Sequence, residues 1–284
     1  MRFGIATFVT DEGIHPARLG GELERRGFES VFIAEHTHIP VKRESPWPEG
    51  GEGGELPRKY YRTLDPFVTL TAMAGTTERL LLGTGILLLI ERDPIIAAKE
   101  IASLDYVSGG RVVVGIGAGW NREEMRDHGT DPKTRMSLLR ERVLAMKEIW
   151  TKEQAEFHGD FVDFDPIFSW PKPVQRPNPP ILVGGSGPRT LDRVLEYGDG
   201  WMPTYGLGVE EIARRIADLR RRASDAGRGP IPVTVYAVPG DRDIVSRLAD
   251  AGVDRVLFDL PTLPADETAR ALDEFAAVAR NAQR

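Results

Sequence analysis

The sequence predicts a closed (β/α)8 (TIM) barrel, an α/β fold, with an insertion before its fifth strand. Three observations carry that expectation. Eight short apolar runs alternate with helical patterns along the chain. Most of these runs are apolar throughout, as strands of a parallel sheet covered on both faces require. A chain of 284 residues has the length for eight such units closed on themselves, expected as a single domain over residues 1–284. A doubly wound open sheet would need a topological switch point, which the sequence does not mark.

The first strand is expected at residues 3–8, followed by a helix over 16–26 that starts on Pro16 and stops at Gly27. Residues 30–34 form the second strand and run into Glu35-His36-Thr37-His38. Periodicity then dissolves over residues 39–64, a stretch with Trp47 and repeated glycine pairs. A loop this long in a compact protein is usually functional or disordered. Asp65-Pro66 caps the next helix, to about Thr76. The third strand, 79–87, is broken by Gly83 and Gly85, and Asp93-Pro94 opens a helix that Ser108-Gly109-Gly110 ends. The fourth strand, 111–116, leads into Gly117-Ala118-Gly119-Trp120-Asn121. Met136, Leu139, Val143, Met146 and Trp150 then recur at helical spacing. The insertion, about 152–179, holds a small hairpin around Gly159 and a proline-rich crossing. Strands at 181–183, 200–203, 232–238 and 255–260 complete the eight, with helices at 188–197, around Val209–Leu219, at 244–251 and around Leu272, Phe275 and Ala279.

Composition narrows the function classes. The formal net charge of −6 opposes a nucleic-acid partner, which needs a basic surface. Cysteine is absent, which removes disulfides, thiolate nucleophiles and zinc–thiolate or iron–sulfur sites and fits a reducing compartment. The N-terminal residues read as a strand rather than a signal peptide, and the longest apolar run, 80–90, is too short to span a bilayer. A soluble cytoplasmic protein without a membrane partner is expected.

In a parallel barrel, ligands bind where the strands end at their carboxyl side. Residues 179–190 are the most informative such place. An apolar strand there gives way to Gly184-Gly185-Ser186-Gly187, with Pro188 suited to the first position of a helix. Bare backbone amides and the positive end of a helix together make a phosphate-sized anion site. Arg189 in the first turn would oppose the helix dipole, a cost a bound anion offsets. The alternative is a plain strand-to-helix turn. Gly115-Ile116-Gly117-Ala118-Gly119 lacks the spacing and context of a dinucleotide fingerprint. His36-Thr37-His38 invites a metal, but too few further ligands lie at other strand ends, so no metal is expected and His36 reads better as a proton-transfer group. With no Ser-His-Asp set or paired carboxylates, a phosphorylated cofactor is left to carry the chemistry.

These strand-end residues carry a resemblance. Ala34-Glu35-His36, Leu82-Gly83-Thr84-Gly85-Ile86, Ser108-Gly109-Gly110-Arg111, Gly115-Ile116-Gly117-Ala118-Gly119-Trp120, Pro171-Lys172-Pro173-Val174-Gln175, 179–185 and Gly198-Asp199-Gly200-Trp201 resemble the luciferase-like superfamily of flavin- and deazaflavin-dependent oxidoreductases. Within it, the chain is most similar to the coenzyme F420-dependent group. The resemblance implies hydride transfer between F420 and a small organic substrate. It leaves open an FMN-dependent monooxygenase fed by a separate reductase, or a non-catalytic flavin-binding relative. It implies catalytic roles for His36 and for Glu35, where aspartate is more usual. It implies cofactor contacts from Phe8, Thr84, Gly85, Ile86, Gly119, Trp120, Asn121, Gly184, Gly185, Ser186, Gly187 and Arg189, with a cis peptide bond at Gly85-Ile86 behind the ring. The 39–64 loop with Trp47 would close over the substrate, and a homodimer is compatible with the family.

Overall fold

The computed structural model describes residues 1–47 and 55–282. In chain order its first strands and helices are β1 (Arg2–Thr7), α1 (Pro16–Arg25), β2 (Ser30–Ile33), α2 (Pro66–Ala74), β3 (Leu81–Leu87), α3 (Pro94–Ser108) and β4 (Val112–Ile116). Next come α4 (Arg122–Asp127), α5 (Arg135–Thr151) and the antiparallel hairpin β5 (Ala155–His158) and β6 (Asp163–Ile167). The chain returns to the sheet with β7 (Ile181–Gly184), α6 (Thr190–Tyr197), β8 (Gly200–Met202), α7 (Val209–Asp225), β9 (Thr234–Val238), α8 (Arg242–Asp250), β10 (Arg255–Leu260) and α9 (Ala265–Ala282).

Eight of these strands pair in parallel in the order β8-β7-β4-β3-β2-β1-β10-β9. Bridges Trp201–Val233 and Thr204–Tyr236 join the two ends of that order and bring the barrel to closure. The expected (β/α)8 architecture is present, with the hairpin inserted before the fifth barrel strand.

The strands divide the apolar residues between two layers, because successive side chains point to opposite faces. Phe3, Ile5, Val31, Ile33, Val112 and Val114 join the large core beneath the helices. Ala6, Phe32, Val113, Leu182, Met202 and Leu257 fill the barrel interior. The paired glycines of β3 and β4 are explained by this second layer. A Cβ at Gly83 would lie 2.6 Å from the Phe32 ring, and one at Gly115 would lie 2.2 Å from the Thr84 carbonyl oxygen and 2.5 Å from Met202 Cε. Bulky side chains occupy the space those glycines leave, and Thr84 Oγ1 donates to the Gly115 carbonyl at 2.8 Å.

Helix starts follow the capping chemistry of the sequence. Asp65 accepts from Val68 N–H at 3.0 Å, and Asp93 from Ile95 and Ile96 N–H at 2.9 and 3.0 Å. Gly109 ends α3 in the left-handed conformation at φ 69°. Two local expectations change. Helix α6 begins at Thr190, not Pro188, because the chain first makes a turn closed by Thr190 N–H on the Gly187 carbonyl. The short α4 was not expected; Asn121 caps it through its side-chain oxygen to Glu124 N–H.

Arg111, at the end of the Ser108-Gly109-Gly110-Arg111 motif, has a structural task. Its buried guanidinium donates to the carbonyls of Ala74, Thr77, Leu80 and Ser108 and to Thr77 Oγ1, tying the end of α2 to the start of β3 and the end of α3. Arg111→Met would leave those buried acceptors without donors. The expected loss is about 2–4 kcal/mol, measured by urea unfolding; a loss below roughly 0.5 kcal/mol would remove this role.

Candidate active site at the carboxyl ends of the strands

A cavity opens where the interior glycines continue past the packed layer. Two adjoining compartments, of about 280 and 580 Å³, share Trp120 and Thr204 in their walls. Together they are of the size that small-ligand sites occupy. Gly85, Ile86, Gly119, Gly184 and Gly185 line the smaller compartment, and Ser186 and Trp47 the larger. The Gly85–Ile86 peptide bond is cis. Gly117 makes room for Ile86 in the cavity wall, since a Cβ there would fall 2.1 Å from Ile86 Cδ1. Gly119 takes φ 61° and Gly185 φ 110°, where a side chain is strained.

The strand-to-helix turn presents amides rather than carbonyls. Trp201 Nε1–H donates to the Gly185 carbonyl at 3.0 Å. Arg215, from α7, donates to the Ser186 carbonyl at 2.6 Å and the Gly187 carbonyl at 3.4 Å. Within the described residues, the Ser186 and Gly187 N–H groups donate to nothing. A turn with its carbonyls drawn away and its amides free is what an oxyanion needs.

His36 lies behind the wall of the larger compartment, its side chain 6% exposed, against the lining residues Tyr60 and Trp120 at ring distances of 5.4 and 5.8 Å. Its Nδ1 meets Glu124 Oε2 at 2.7 Å, and Glu124 Oε1 accepts the Thr37 N–H at 3.1 Å. The carboxylate therefore favours the tautomer with its proton on Nδ1, leaving Nε2 as the basic nitrogen. Sequence reasoning missed Glu124, which lies on the unexpected helix α4. The Asn121 cap beside Gly-Trp was the available signal.

Several expected contacts lie elsewhere. Glu35, placed beside His36 in the sequence, turns away into the protein. It accepts Leu88 N–H at 2.6 Å and Arg92 Nε–H at 2.7 Å, fully buried. Adjacent residues past a strand point to opposite sides, and Arg92 claims this one. Asn121 is buried and capping α4, and Thr84 is buried with its hydroxyl on Gly115. Phe8 sits behind Tyr60, at 4.7 Å between rings. Arg189 lies outside the cavity, in a cleft between α5 and α6. Trp47 Nε1–H donates to Tyr60 Oη at 2.9 Å, so one end of the 39–64 loop does reach the cavity, while residues 48–54 fall outside the described residues.

His38 does not join His36. Its Nε2 contacts Asp127 at 3.0 Å, and Thr37 Oγ1 bridges His38 Nδ1 at 2.9 Å and His128 Nε2 at 2.6 Å. Among the described residues no group of three or more His, Cys, Asp or Glu is arranged to hold a metal, and no helix is long and apolar enough to cross a membrane.

The barrel agrees with comparisons to known proteins. The family model for luciferase-like monooxygenases matches residues 15–243. The chain belongs to that family. An uncharacterised protein of Mycobacterium tuberculosis H37Rv is 40% identical over 280 residues, covering 98% of each chain. The crystal structure of the monooxygenase RslO1 of Streptomyces bottropensis superposes with a TM-score of 0.82 at 22% identity, covering 100% of both chains. An F420-dependent secondary alcohol dehydrogenase, in complex with an F420–acetone adduct, gives 0.77 at 20% identity over 100% of both. These two establish shared fold. Luciferase-like relatives and structural neighbours include F420-dependent and FMN-containing enzymes.

Proposed function

We propose that this luciferase-like chain is a coenzyme F420-dependent oxidoreductase that moves a hydride between the deazaflavin and a small hydroxyl- or carbonyl-bearing substrate. The observation that carries the reading is the His36–Glu124 pair packed behind the Tyr60 and Trp120 wall of a glycine-lined cavity, together with the free amides of Ser186 and Gly187. The residues fit such a cofactor. The glycine lining leaves room for a flat ring against backbone, and the turn supplies donors for a phosphate. The F420-dependent neighbour with the same barrel adds support.

In this reading the bound deazaflavin supplies the carbon that takes up or gives back the hydride. The chain does the rest. Gly85, Ile86 and Gly119 would hold the ring's face, and Ser186 and Gly187 its phosphate. His36 Nε2 accepts the proton of a substrate hydroxyl as its C–H bond yields the hydride, and returns it in the reverse direction. Glu124 stabilises the imidazolium that forms. Tyr60, Trp47 and Trp120 keep water from the reacting face.

Purified protein titrated side by side with F420 and FMN tests the reading. Binding of F420 at least tenfold tighter than FMN is the expected result. Binding of FMN alone, with oxygen-dependent substrate turnover, would replace it with a monooxygenase.

A further inference from the structure

A second anion-shaped feature lies just outside the cavity. Between α5 and α6 a cleft of about 250 Å³ is lined by Arg140, Arg189, Asp192, Arg193, Glu196 and Tyr197. Its two carboxylates are already engaged, Asp192 by Arg222 and Glu196 by Arg140. Arg189 and the half-buried Arg193 have no acidic partner among the described residues. The cleft therefore offers two uncommitted guanidinium groups.

Tyr197 supplies the independent sign of a ligand. It is 2% exposed, it lines the cleft, and its hydroxyl has no hydrogen-bond partner among the described residues. Buried hydroxyls are nearly always satisfied, so one left open beside arginines calls for an acceptor. Burial pushes the phenol up to about 12, with Arg193 and Arg140 pulling it down and Glu196 pushing it up. It stays protonated at neutral pH and can only donate to an anion.

The position of the cleft says which anion. Ser186 faces the cavity and Arg189 faces the cleft, on opposite sides of one turn. Three residues span at most about 10 Å even when fully extended, and here they fold into the turn that Thr190 N–H closes on the Gly187 carbonyl. A ligand whose phosphate rests on the Ser186 and Gly187 amides, and which continues beyond it, meets the cleft next. FMN ends at its phosphate. F420 continues into a chain of glutamates.

We propose that the α5–α6 cleft receives the acidic tail of the cofactor, its carboxylates paired with Arg189 and Arg193 and accepting a hydrogen bond from Tyr197. This rests on the deazaflavin reading and sharpens it, because it makes the tail a source of selectivity over FMN. Charge-assisted pairs with a planar guanidinium suit carboxylates, and a partly exposed site makes the effect salt-dependent.

Equilibrium titration, followed by cofactor fluorescence, would use whole protein with F420 bearing several glutamates, the same coenzyme with its glutamates removed, and FMN. The native chain should bind the tailed form about tenfold tighter than the trimmed one, and 0.5 M salt should reduce that preference to roughly twofold. Arg193→Gln should bring the preference below about twofold while leaving trimmed-form affinity unchanged. Tyr197→Phe should reduce it to roughly threefold with Tm maintained, since the lost hydroxyl has no partner among the described residues. Equal affinity for tailed and trimmed forms, or an Arg193→Gln loss shared equally by both, overturns the proposal and leaves the deazaflavin reading standing. Failure of both deazaflavin forms to bind while FMN binds overturns the two together.

Discussion

Glu124→Gln should lower kcat by roughly 10²–10⁴-fold with the substrate KM changed only a few-fold. Glu124 uses one oxygen for His36 Nδ1 and the other for Thr37 N–H. A glutamine keeps the shape but has a single acceptor. If its oxygen stays on Thr37 N–H, its NH₂ faces Nδ1 and donates to it. The imidazole proton is then forced to Nε2, the nitrogen that must be basic. The loss therefore belongs to the proton step rather than to binding, and the acidic limb of the kcat–pH profile for alcohol oxidation should flatten. His36→Ala should cost at least as much, and the two changes together little more than the larger alone, because they disable one unit. Cofactor titration should be unaffected within about threefold. A Glu124→Gln enzyme within threefold of native kcat would remove Glu124 from the mechanism. A non-catalytic cofactor-binding protein would show no turnover to lose.

The barrel was legible because its signals are local. Asp65-Pro66 and Asp93-Pro94 mark helix starts by capping chemistry alone, and β-runs such as 112–116 are too uniformly apolar to be anything but buried strands. The strand-end glycines were legible as a set, but not their division of labour. Gly83 and Gly115 make room for Phe32, Thr84 and Met202, Gly117 makes room for Ile86, and Gly85 and Gly119 line the cavity. Only the packed interior separates these tasks. The His36 partner was illegible for a different reason. Glu124 is 88 residues away, on a six-residue helix too short for periodicity to reveal. Glu35 misled because adjacency along the chain is not adjacency in space. Just past β2, one residue meets Arg92 in the protein and the next packs on Trp120 of the cavity wall. Arg215 shows the same limit, since its grip on the Ser186 and Gly187 carbonyls spans 29 and 28 residues.

Glu91→Gln should stabilise the protein relative to the native chain by an amount that grows as pH rises. Glu91 lies in the turn after β3 with its side chain 1% exposed, and its Oε2 accepts no hydrogen bond from the described residues. Burial pushes its carboxyl up from 4.5 to about 9; the charges of Glu124 and Glu35 add to the rise, and Arg92 and Arg142 oppose it. The neighbouring His128, with Nε2 at 3.9 Å, gives little help, since burial and then His38 hold it below the usual histidine range. The sign follows from proton uptake. Between pH 4.5 and about 9 the folded chain keeps a proton on Glu91 that the unfolded chain releases. Stability from this group is therefore complete below pH 4.5 and falls through that window. Each pH unit within it is worth at most about 1.4 kcal/mol, so from pH 5 to pH 8 the loss should be about 2–4 kcal/mol once water entry on opening is allowed for. A glutamine carries no proton to lose and matches the neutral acid in shape. Urea unfolding of both chains at pH 5, 6.5 and 8 isolates the effect, because every other titrating group cancels in the difference. A constant difference across the three pH values would show that Glu91 ionises as an ordinary carboxyl. Glu124, not Glu91, contacts His36 Nδ1, so Glu91→Gln should retain native kcat at pH 7 while Glu124→Gln does not.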